Sequence, residues 1–456
     1  FNPVNINYCI YLFIFVKISI SGIRGIFGDD LSIQEIARFS RVYGSYLKNN
    51  HDMQTCVIAR DSRPSGGIIT DIVIGCLLEQ GINVYDLGIA PTPVLFRESR
   101  KYSGALMITA SHNPLAWNGL KMLIKGRGLF EEDLDQVLKT KIQDHVKIGQ
   151  YFKINSSFLN DMVNYIPQPN QLNDDFKVGI DFGGGAACNY ANQLLDSYHV
   201  KYLGINDKLG FSSRGPDPTS DPLVELCELV KINKLNFGFA FDLDGDRLVI
   251  VNNEGIQLNP DSTLLLCIAG VVRNNGFKRF TISLDSSLSI EQYVNNHGGQ
   301  VFVSKVGESN VIKRIFETDS QAGGEGSSGG FIMPSFTSCR DGLLASVIIS
   351  SLDQDTINEC MNLSSKFKQI RTKHSIDPKI DSKYLFEKVL SSLKSYSTDV
   401  LYTDGLKFIL DDSSWILIRF SNTEHAFRIS LESTKEKVDS MYKLFHNKII
   451  EIYEKI

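Results

Sequence analysis

Short apolar runs that end abruptly in a polar residue or glycine recur along the chain. Examples are residues 56–60, 106–109, 178–180, 237–241 and 280–284, which contain many β-branched and aromatic side chains. Such runs are typical of strands that are buried on both faces of a sheet. The pattern predicts buried sheets with functional groups at the carboxyl ends of their strands.

Segments with the apolar spacing of helices lie between these runs. Residues 32–47 follow a helical period, and Ser32 to Glu35 has the form of a capping box. Residues 132–142 and 223–230 show a similar spacing, whereas the polar, proline-containing residues 165–175 predict a loop. The alternation of strand, loop and helix predicts a largely α/β protein.

The two ends of the chain differ from this pattern. From about Arg371 the chain is lysine-rich, with a predicted strand at 415–419 and a closing helix over 432–456, which indicates a separate α+β unit. Residues 8–16 are almost wholly apolar, but they are too few to span a bilayer, and no basic leader precedes them. We interpret residues 1–16 as an extension of uncertain status that leads into the first strand, and we expect no membrane segment.

Length and charge narrow the functional classes. A chain of 456 residues is too long to fold around one hydrophobic core, and its length predicts roughly three to four domains. Its net charge of −5 argues against a general binder of nucleic acid. The eight cysteines are dispersed, without zinc-ligand spacing, which favours reduced thiols in a cytoplasmic protein.

Two motifs carry most of the chemical information. Thr109-Ala110-Ser111-His112-Asn113-Pro114 places a hydroxyl at the tip of an apolar run, and Asp242-Leu243-Asp244-Gly245-Asp246-Arg247 packs three carboxylates into five residues. A phosphoserine needs a positive partner, and Mg²⁺ prefers carboxylate and phosphate oxygens. The pair therefore predicts a phosphorylated Ser111 beside a Mg²⁺ that Asp242, Asp244 and Asp246 bind.

Each motif also has a simpler interpretation. The serine segment could be an ordinary turn, because Ser and Asn-Pro favour turns. The aspartates could form a solvated turn, or a calcium loop, which shares the D-x-D-G opening. A calcium loop would need a glutamate at its twelfth position, which is Asn253 here, and β-branched residues follow the aspartates at once. The calcium interpretation therefore fails.

These motifs belong to an ordered set that resembles the signatures of the α-D-phosphohexomutase superfamily. The set continues with Gly323-Gly324-Glu325-Gly326-Ser327-Ser328-Gly329-Gly330 and Arg419-Phe420-Ser421-Asn422-Thr423-Glu424. Ser21-Gly22-Ile23-Arg24-Gly25 and Arg60-Asp61-Ser62-Arg63 agree with it, so the resemblance covers nearly the whole chain after residue 16. The chain resembles archaeal-type members of this superfamily.

The resemblance implies a heart-shaped, four-domain architecture. Three related α/β domains with mixed sheets would precede a smaller C-terminal α+β domain, each contributing one signature loop to a central cleft. We place domain I at 17–149 with the phosphoserine loop, domain II at 150–253 with the metal-binding loop, domain III at 254–367 with the sugar-binding loop, and domain IV at 368–456 with the phosphate-binding loop.

The resemblance also implies an activity. The chain would be an isomerase that interconverts hexose 1-phosphate and 6-phosphate through phosphoserine 111, one Mg²⁺ and a sugar 1,6-bisphosphate. Lys121, in Asn118-Gly119-Leu120-Lys121, would be the general acid and base or a phosphate-neutralising cation, and His112 would assist. We expect small sugar phosphates as the partners and a monomer or homodimer as the assembly.

Further residues are expected to bind the substrate by the same resemblance. Glu325, Ser327 and Ser328 would hold sugar hydroxyls, although a Gly-Ser linker would have a similar composition. The phosphate clamp and the other contacts of the cleft would comprise Arg24, Arg247, Glu308, Arg419, Ser421, Asn422, Thr423 and Arg428, with Arg63 as a weaker candidate. An exposed lysine at 121 and a plain strand-to-turn junction at 419–423 are the simpler alternatives.

The chain departs from the commoner family pattern in one loop. The commoner sequence of the family's sugar-binding loop is G-E-x-S-G-H. In this chain the loop is one residue longer and ends in Gly330, without a histidine. By the same resemblance, Glu308 stands where glucose/mannose-type relatives often carry a histidine and where glucosamine-type and archaeal relatives carry an acidic residue. We therefore expect a phosphoglucosamine mutase or a phosphomannomutase/phosphoglucomutase, with glucosamine 1-phosphate or mannose 1-phosphate favoured. A Mg²⁺-dependent phosphatase or kinase, and a non-catalytic sugar-phosphate binder, remain the alternative functions.

Overall fold

The computed structural model describes residues 16–143, 147–166, 176–377, 380–421 and 426–455, without the side chains of residues 382 and 421. The apolar residues 8–15 and most of the predicted loop at 165–175 therefore lie outside the described residues. Over the described ranges, no helix is long and apolar enough to cross a membrane.

The first sheet mixes parallel and antiparallel strands. Its strands are β1 (Lys17–Ser19), β2 (Gly22–Ile26), β3 (Thr55–Arg60), β4 (Asn83–Ile89), β5 (Gly104–Ile108), β6 (Trp117–Ile124), β7 (Arg127–Gly128) and β8 (Tyr151–Lys153). They are ordered β1-β2-β6-β5-β3-β4-β8, with β7 paired to β6. Because β8 pairs with β4, this sheet extends past the predicted domain boundary at residue 149.

Helices cover both faces of the first sheet. They are α1 (Ile33–Asn50), α2 (Gly66–Glu79), α3 (Thr92–Glu98) and α4 (Glu131–Lys139). Alternate residues of β3 point to opposite faces: Ile58 belongs to the core beneath α1 and α2, whereas Val57 belongs to the core that contains α3. The predicted cap of α1 is present, since the Ser32 hydroxyl accepts a hydrogen bond from the Glu35 amide at 3.2 Å.

The second and third sheets have four strands each. The second comprises β9 (Lys177–Asp181), β10 (Lys201–Ile205), β11 (Phe237–Phe241) and β12 (Leu248–Asn252), with helices α5 (Phe158–Tyr165), α6 (Ala191–Ser197) and α7 (Val224–Asn233). The third comprises β13 (Arg279–Ser283), β14 (Gln300–Ser304), β15 (Ala322–Glu325) and β16 (Gly330–Ile332), with helices α8 (Asp261–Asn275), α9 (Leu288–Asn296), α10 (Glu308–Glu317), α11 (Gly342–Ser350) and α12 (Gln354–Ser364).

One strand arrangement repeats in all three sheets. The orders β4-β3-β5-β6, β10-β9-β11-β12 and β14-β13-β15-β16 each join parallel strands to a last antiparallel strand. The serine loop, the aspartate loop and the glycine-rich loop all connect the third strand of this pattern to the fourth. Repetition of the fold therefore presents each loop at an equivalent sheet edge, and the prediction of three related α/β domains is confirmed.

The C-terminal unit is built around a different sheet. Its strands β17 (Phe367–Ser375), β18 (Asp399–Leu401), β19 (Leu406–Asp411), β20 (Ser414–Ser421) and β21 (Ala426–Thr434) are antiparallel in the order β17-β21-β20-β19-β18, with helices α13 (Ser382–Leu393) and α14 (Val438–Glu454). The closing helix begins at Val438, so the prediction that it begins at residue 432 is wrong.

Tertiary contacts explain that difference. The carboxylate of Glu432 accepts hydrogen bonds from the Ser287 hydroxyl at 2.5 Å, the Leu288 amide at 2.8 Å and the Trp415 indole at 2.8 Å. A strand at this position delivers Glu432 to the first turn of α9, where a carboxylate is favoured. The seven cysteines within the described residues are all free, and five of them are buried.

Candidate active site

Ser111 lies at the carboxyl end of β5 in an unusual backbone conformation. Its φ is +53°, in the left-handed region that few non-glycine residues adopt, and the residue is 2% exposed. The Thr109 hydroxyl accepts a hydrogen bond from the Ser111 amide at 2.8 Å, and the Ser111 hydroxyl lies 3.3 Å from Asp242 Oδ2. The fold thus brings the two main sequence motifs together.

A buried arginine, Arg63, binds the backbone of the serine loop, residues 109–114. The Arg63 guanidinium donates to the carbonyl oxygens of Ser111, Asn113, Pro114 and Trp117 at 2.5–2.9 Å, and it pairs with Asp61 at 3.0 Å. Burial raises the pKa of Asp61, although Arg63 opposes this effect. We predicted Arg63 to be the weaker candidate for the cleft, in a structural loop, and its hydrogen bonds are made to the serine loop and to Trp117 just after it.

The three aspartates form a compact cluster of carboxylates. One oxygen from each of Asp242, Asp244 and Asp246 lies within 4.8 Å of the others, and all three residues are buried. Gly245, between two of them, has a φ of +71°, a conformation that glycine adopts without strain. Thr92, on α3, donates to Asp244 Oδ2 at 2.7 Å and thereby fixes this side chain from the neighbouring domain.

The cluster has the chemistry of a site for a hard divalent cation. Asp244 Oδ1 and Asp246 Oδ1 are buried without a hydrogen-bond partner among the described residues. Burial and the neighbouring carboxylates raise the pKa of Asp242 well above its ordinary value, and that of Asp244 is raised as well. Unpartnered buried carboxylate oxygens are costly, so this donor set fits Mg²⁺, which prefers oxygen ligands.

Cationic side chains surround the cluster. Arg247 Nη2 lies 2.8 Å from His112 Nδ1, and burial together with Arg247 lowers the pKa of His112 to about 3. The imidazole is therefore neutral at physiological pH. Arg24, opposite Gly119 in the β2–β6 pairing, is half-buried, and its pKa is lowered mainly by burial while Asp244 opposes this.

Lys121 and Glu308 form a buried ion pair across two domains. Lys121 Nζ lies 2.6 Å from Glu308 Oε1, and both residues are less than 10% exposed. Burial alone would lower the pKa of Lys121, but Glu308 and Asp246 outweigh it, so the pKa is raised. The interpretation of Lys121 as an exposed surface lysine is wrong, because β6 directs its side chain toward the start of α10.

The glycine-rich loop is also compact rather than a linker. Glu325 is buried, and its Oε1 accepts a hydrogen bond from the Gly307 amide at 2.7 Å. Ser328 donates to the Glu325 carbonyl at 3.2 Å, while Ser327 is partly exposed. The linker alternative therefore fails, and Glu325 and Glu308 lie at one edge of the third sheet.

Arg340 is a site residue that the sequence reasoning missed. Its side chain contacts Asp246 Oδ2 at 2.6 Å, Glu325 Oε2 at 3.0 Å and Glu308 Oε2 at 3.3 Å. It lies outside the quoted motifs, directly before Asp341, whose side chain caps α11 by accepting from the Leu344 amide at 2.9 Å. An Asp before an apolar helical run signals a cap, but nothing in the sequence signals the arginine's partners.

The C-terminal unit places Arg419 close to the segment that leads to Glu308. Arg419 Nε lies 2.9 Å from Asp404 Oδ2, and the same carboxylate oxygen accepts a hydrogen bond from the Val306 amide at 3.1 Å. Arg428 lies opposite Arg419 in the β20–β21 pairing. Asn422 and Thr423 fall outside the described residues, as does the side chain of Ser421, so these three predictions stay predictions.

Family models match most of the chain. The phosphoglucomutase/phosphomannomutase models of α/β/α domains I, II and III match residues 17–147, 156–255 and 259–370, respectively. The chain belongs to the phosphoglucomutase/phosphomannomutase family. Membership in this family of isomerases confirms the predicted superfamily and enzyme class, whereas the exact domain limits and residue roles stay predictions.

Individual members of the family match over nearly the full length. The phosphoglucosamine/phosphogalactosamine mutase of Sulfurisphaera tokodaii is 29% identical over 91% of this chain and 95% of its own. The phosphoglucomutase/phosphomannomutase of Thermococcus kodakarensis is 29% identical over 94% of this chain and 97% of its own. A family protein of Burkholderia thailandensis has the same fold, with a TM-score of 0.82, 23% identity, and coverage of 95% of this chain and 96% of that one.

Proposed function

We propose that this phosphohexomutase interconverts the 1-phosphate and 6-phosphate of a hexose through a phosphorylated Ser111 and a sugar 1,6-bisphosphate. The observation that carries the proposal is the 3.3 Å separation between the Ser111 hydroxyl and Asp242, the first of the three clustered carboxylates. Three buried carboxylates repel one another unless a cation binds between them, and a phosphoserine beside them would provide further oxygen ligands for that cation.

Asp242, Asp244, Asp246 and an oxygen of the phosphoserine would hold one Mg²⁺. The unpartnered oxygens of Asp244 and Asp246 support this assignment. When bound, the ion supplies positive charge that neutralises the oxygens of the transferring phosphoryl group.

The chain's own residues define the rest of the cycle. The bond between the Ser111 oxygen and phosphorus breaks as a sugar hydroxyl forms its own bond to that phosphorus. A proton replaces the phosphoryl group on the Ser111 oxygen, the sugar hydroxyl gives up its own proton, and the product is the 1,6-bisphosphate. The bisphosphate then reverses its orientation in the site, and its other phosphoryl group is transferred to Ser111. Arg63 holds the serine loop at its carbonyl oxygens throughout, so the reacting hydroxyl keeps its direction.

Lys121 is the proposed general acid and base. Its raised pKa favours the ammonium, which can donate a proton to the sugar oxygen that leaves phosphorus. In the first half of the cycle the amine would take the proton of the attacking sugar hydroxyl, with Glu308 stabilising the ammonium that forms. His112, neutral and in contact with Arg247, is better suited to shaping the loop than to supplying a proton.

Substrate binding is assigned to the remaining cations and to the glycine-rich loop. Glu325, Ser327 and Ser328 would bind sugar hydroxyls, with Arg24 and Arg247 near the transferred phosphate. The clamp for the other phosphate would comprise Arg419, Ser421, Asn422, Thr423 and Arg428. Because the same clamp must accept either end of the bisphosphate, we expect little preference between the 1-phosphate and the 6-phosphate.

The preferred hexose follows less directly from the site. Glu308 and the phosphoglucosamine/phosphogalactosamine mutase among the relatives favour an amino sugar. The phosphoglucomutase/phosphomannomutase that is similarly identical to this chain in sequence supports glucose and mannose phosphates as alternative substrates. We further propose a cytoplasmic monomer or homodimer, in line with the free thiols of the described cysteines.

A side-by-side assay tests the proposal. Purified protein, Mg²⁺ and a trace of sugar 1,6-bisphosphate are supplied with the 1-phosphates of glucosamine, mannose and glucose, and the products are identified by phosphorus NMR. We expect 6-phosphates, with intact-protein mass spectrometry showing one phosphoryl group on Ser111. Net release of phosphate from an unphosphorylated protein would instead indicate a phosphatase, and binding without any product would indicate a sugar-phosphate binder.

A further inference from the structure

Arg340 joins three parts of the site that belong to different loops. Its Nη2 donates to Asp246 Oδ2 at 2.6 Å and its Nη1 donates to Glu325 Oε2 at 3.0 Å. Its backbone amide donates to Glu308 Oε2 at 3.2 Å. The residue is 9% exposed, so these contacts form in a site with little competing water.

The contacts leave each carboxylate with a defined orientation. With Asp246 Oδ2 held by Arg340, Oδ1 of that residue remains without a hydrogen-bond partner among the described residues. Glu308 is paired with Lys121 on Oε1, while its Oε2 accepts from the Arg340 backbone amide and lies 3.3 Å from the Arg340 Nε, an ion-pair contact of the side chain. Glu325 is fixed by the Gly307 amide on Oε1 and by Arg340 on Oε2.

The stem of Arg340 crosses the end of the glycine-rich loop. A Cβ atom at Gly330 would lie 2.2 Å from Arg340 Cδ and 2.6 Å from its Cγ, which is far closer than carbon atoms approach. Gly330 is the position at which this chain departs from the commoner loop pattern that ends in histidine. Any side chain at residue 330 would therefore have to displace the arginine.

We propose that Arg340 is a positioning residue for sugar recognition, which occupies the space over Gly330 and aligns Glu325 and Glu308 against the metal-binding loop. The proposal rests on the proposed function, because it takes these two carboxylates to be the groups that bind sugar hydroxyls. A planar guanidinium suits the role, since it can bind several carboxylate oxygens at fixed angles.

The test measures discrimination between sugars rather than activity alone. Calorimetric dissociation constants are compared for glucose 6-phosphate and its 2-, 3- and 4-deoxy analogues, with the unsubstituted enzyme, Arg340→Met and Arg340→Lys. The unsubstituted enzyme should bind at least one analogue about tenfold or more weakly, because a hydroxyl that donates to a carboxylate is lost. In Arg340→Met the ratio of the two dissociation constants should fall to about threefold or less. In Arg340→Lys the ratio should lie between those of Arg340→Met and the unsubstituted enzyme.

Two further variants separate positioning from folding. Arg97→Met removes another partly buried, ion-paired arginine, which pairs with Asp161 at 3.2 Å, and it should leave the discrimination unchanged. Gly330→Ala keeps every charge but displaces the Arg340 stem, so it should reproduce the effect of Arg340→Met even if the latter folds poorly. Unchanged discrimination in both Arg340→Met and Gly330→Ala would overturn the inference.

The outcomes also distinguish this inference from the proposed function. Interconversion by the unsubstituted enzyme, together with unchanged discrimination in the variants, would overturn the role of Arg340 and leave the mutase proposal standing. The protein could instead discriminate between the sugar phosphates through Arg340 without interconverting 1-phosphates and 6-phosphates. That result would support the positioning role of Arg340 and overturn the mutase proposal.

Discussion

Arg63 donates a hydrogen bond of 2.5 Å to the carbonyl oxygen of Ser111, from a position below the loop where neither residue is exposed to solvent. The Ser111 hydroxyl lies 3.3 Å from Asp242, whereas the backbone of the loop is held by the Arg63 guanidinium, whose hydrogen bonds and ion pair go to the loop, to Trp117 and to Asp61. The residue that would support the serine loop is therefore distinct from the carboxylates beside the hydroxyl.

Replacement of Arg63 by Met should destabilise the protein and disorganise the serine loop. The change leaves Asp61 as a buried carboxylate without its cation, which typically costs about 3–5 kcal/mol. Chemical unfolding should show the loss, and mass spectrometry should find less phosphate on Ser111. Arg38→Met, at an exposed pair with Glu35, is the control and should shift the unfolding midpoint little.

Ser111→Ala should lower interconversion by about a thousandfold or more, because the variant cannot form the phosphoenzyme. Binding of sugar phosphate, measured by calorimetry, should persist, since the side chain removed is small and the cations around it remain. Turnover near that of the unsubstituted enzyme would refute the assigned role of the serine.

Asp244→Asn should weaken Mg²⁺ binding by about tenfold or more, because it removes one charged ligand. A cation that binds the folded state raises the unfolding temperature, so the rise produced by added Mg²⁺ should shrink in this variant. Asp217→Asn, which alters a carboxylate 3.5 Å from Arg247 but outside the cluster, should keep the full rise. Equal Mg²⁺-dependent rises in both variants would argue against the ligand assignment.

Asp341→Asn should change how stability depends on pH. Burial raises the pKa of Asp341 from 3.8 to about 7, although hydrogen bonds from Leu344 and Thr337 oppose it. The folded state therefore binds more protons than the unfolded state between these values, and stability falls as the pH rises through this window, by about 4 kcal/mol at most.

The asparagine can still accept from the Leu344 amide, but it does not ionise. Relative to the unsubstituted protein, Asp341→Asn should gain stability from pH 5 to pH 8, as measured by thermal unfolding at both values. A constant difference between the two proteins across this range would show that the carboxyl group does not titrate there.

Much of the architecture follows from local patterns. The runs before Asp61, Asp242 and Asp285 and the run that ends at Asp181 proved to be strands, as their short length and their β-branched and aromatic residues predicted. Glu432 shows where this reasoning stops. Its segment resembles the start of a helix, but its carboxylate accepts hydrogen bonds from Ser287 and Trp415, which are distant in sequence, and these bonds favour a strand.

By itself, the sequence determined the strand, loop and helix alternation and singled out Ser111 and the three aspartates, because each depends on residue types close together in the chain. The tertiary structure alone decided that Ser111 lies 3.3 Å from Asp242, that Lys121 pairs with Glu308, and that Arg340 lies among three carboxylates. A buried charge is stable only when its partners surround it, and those partners come from different sheets. Their selection is therefore a property of how the domains pack, which no local pattern encodes.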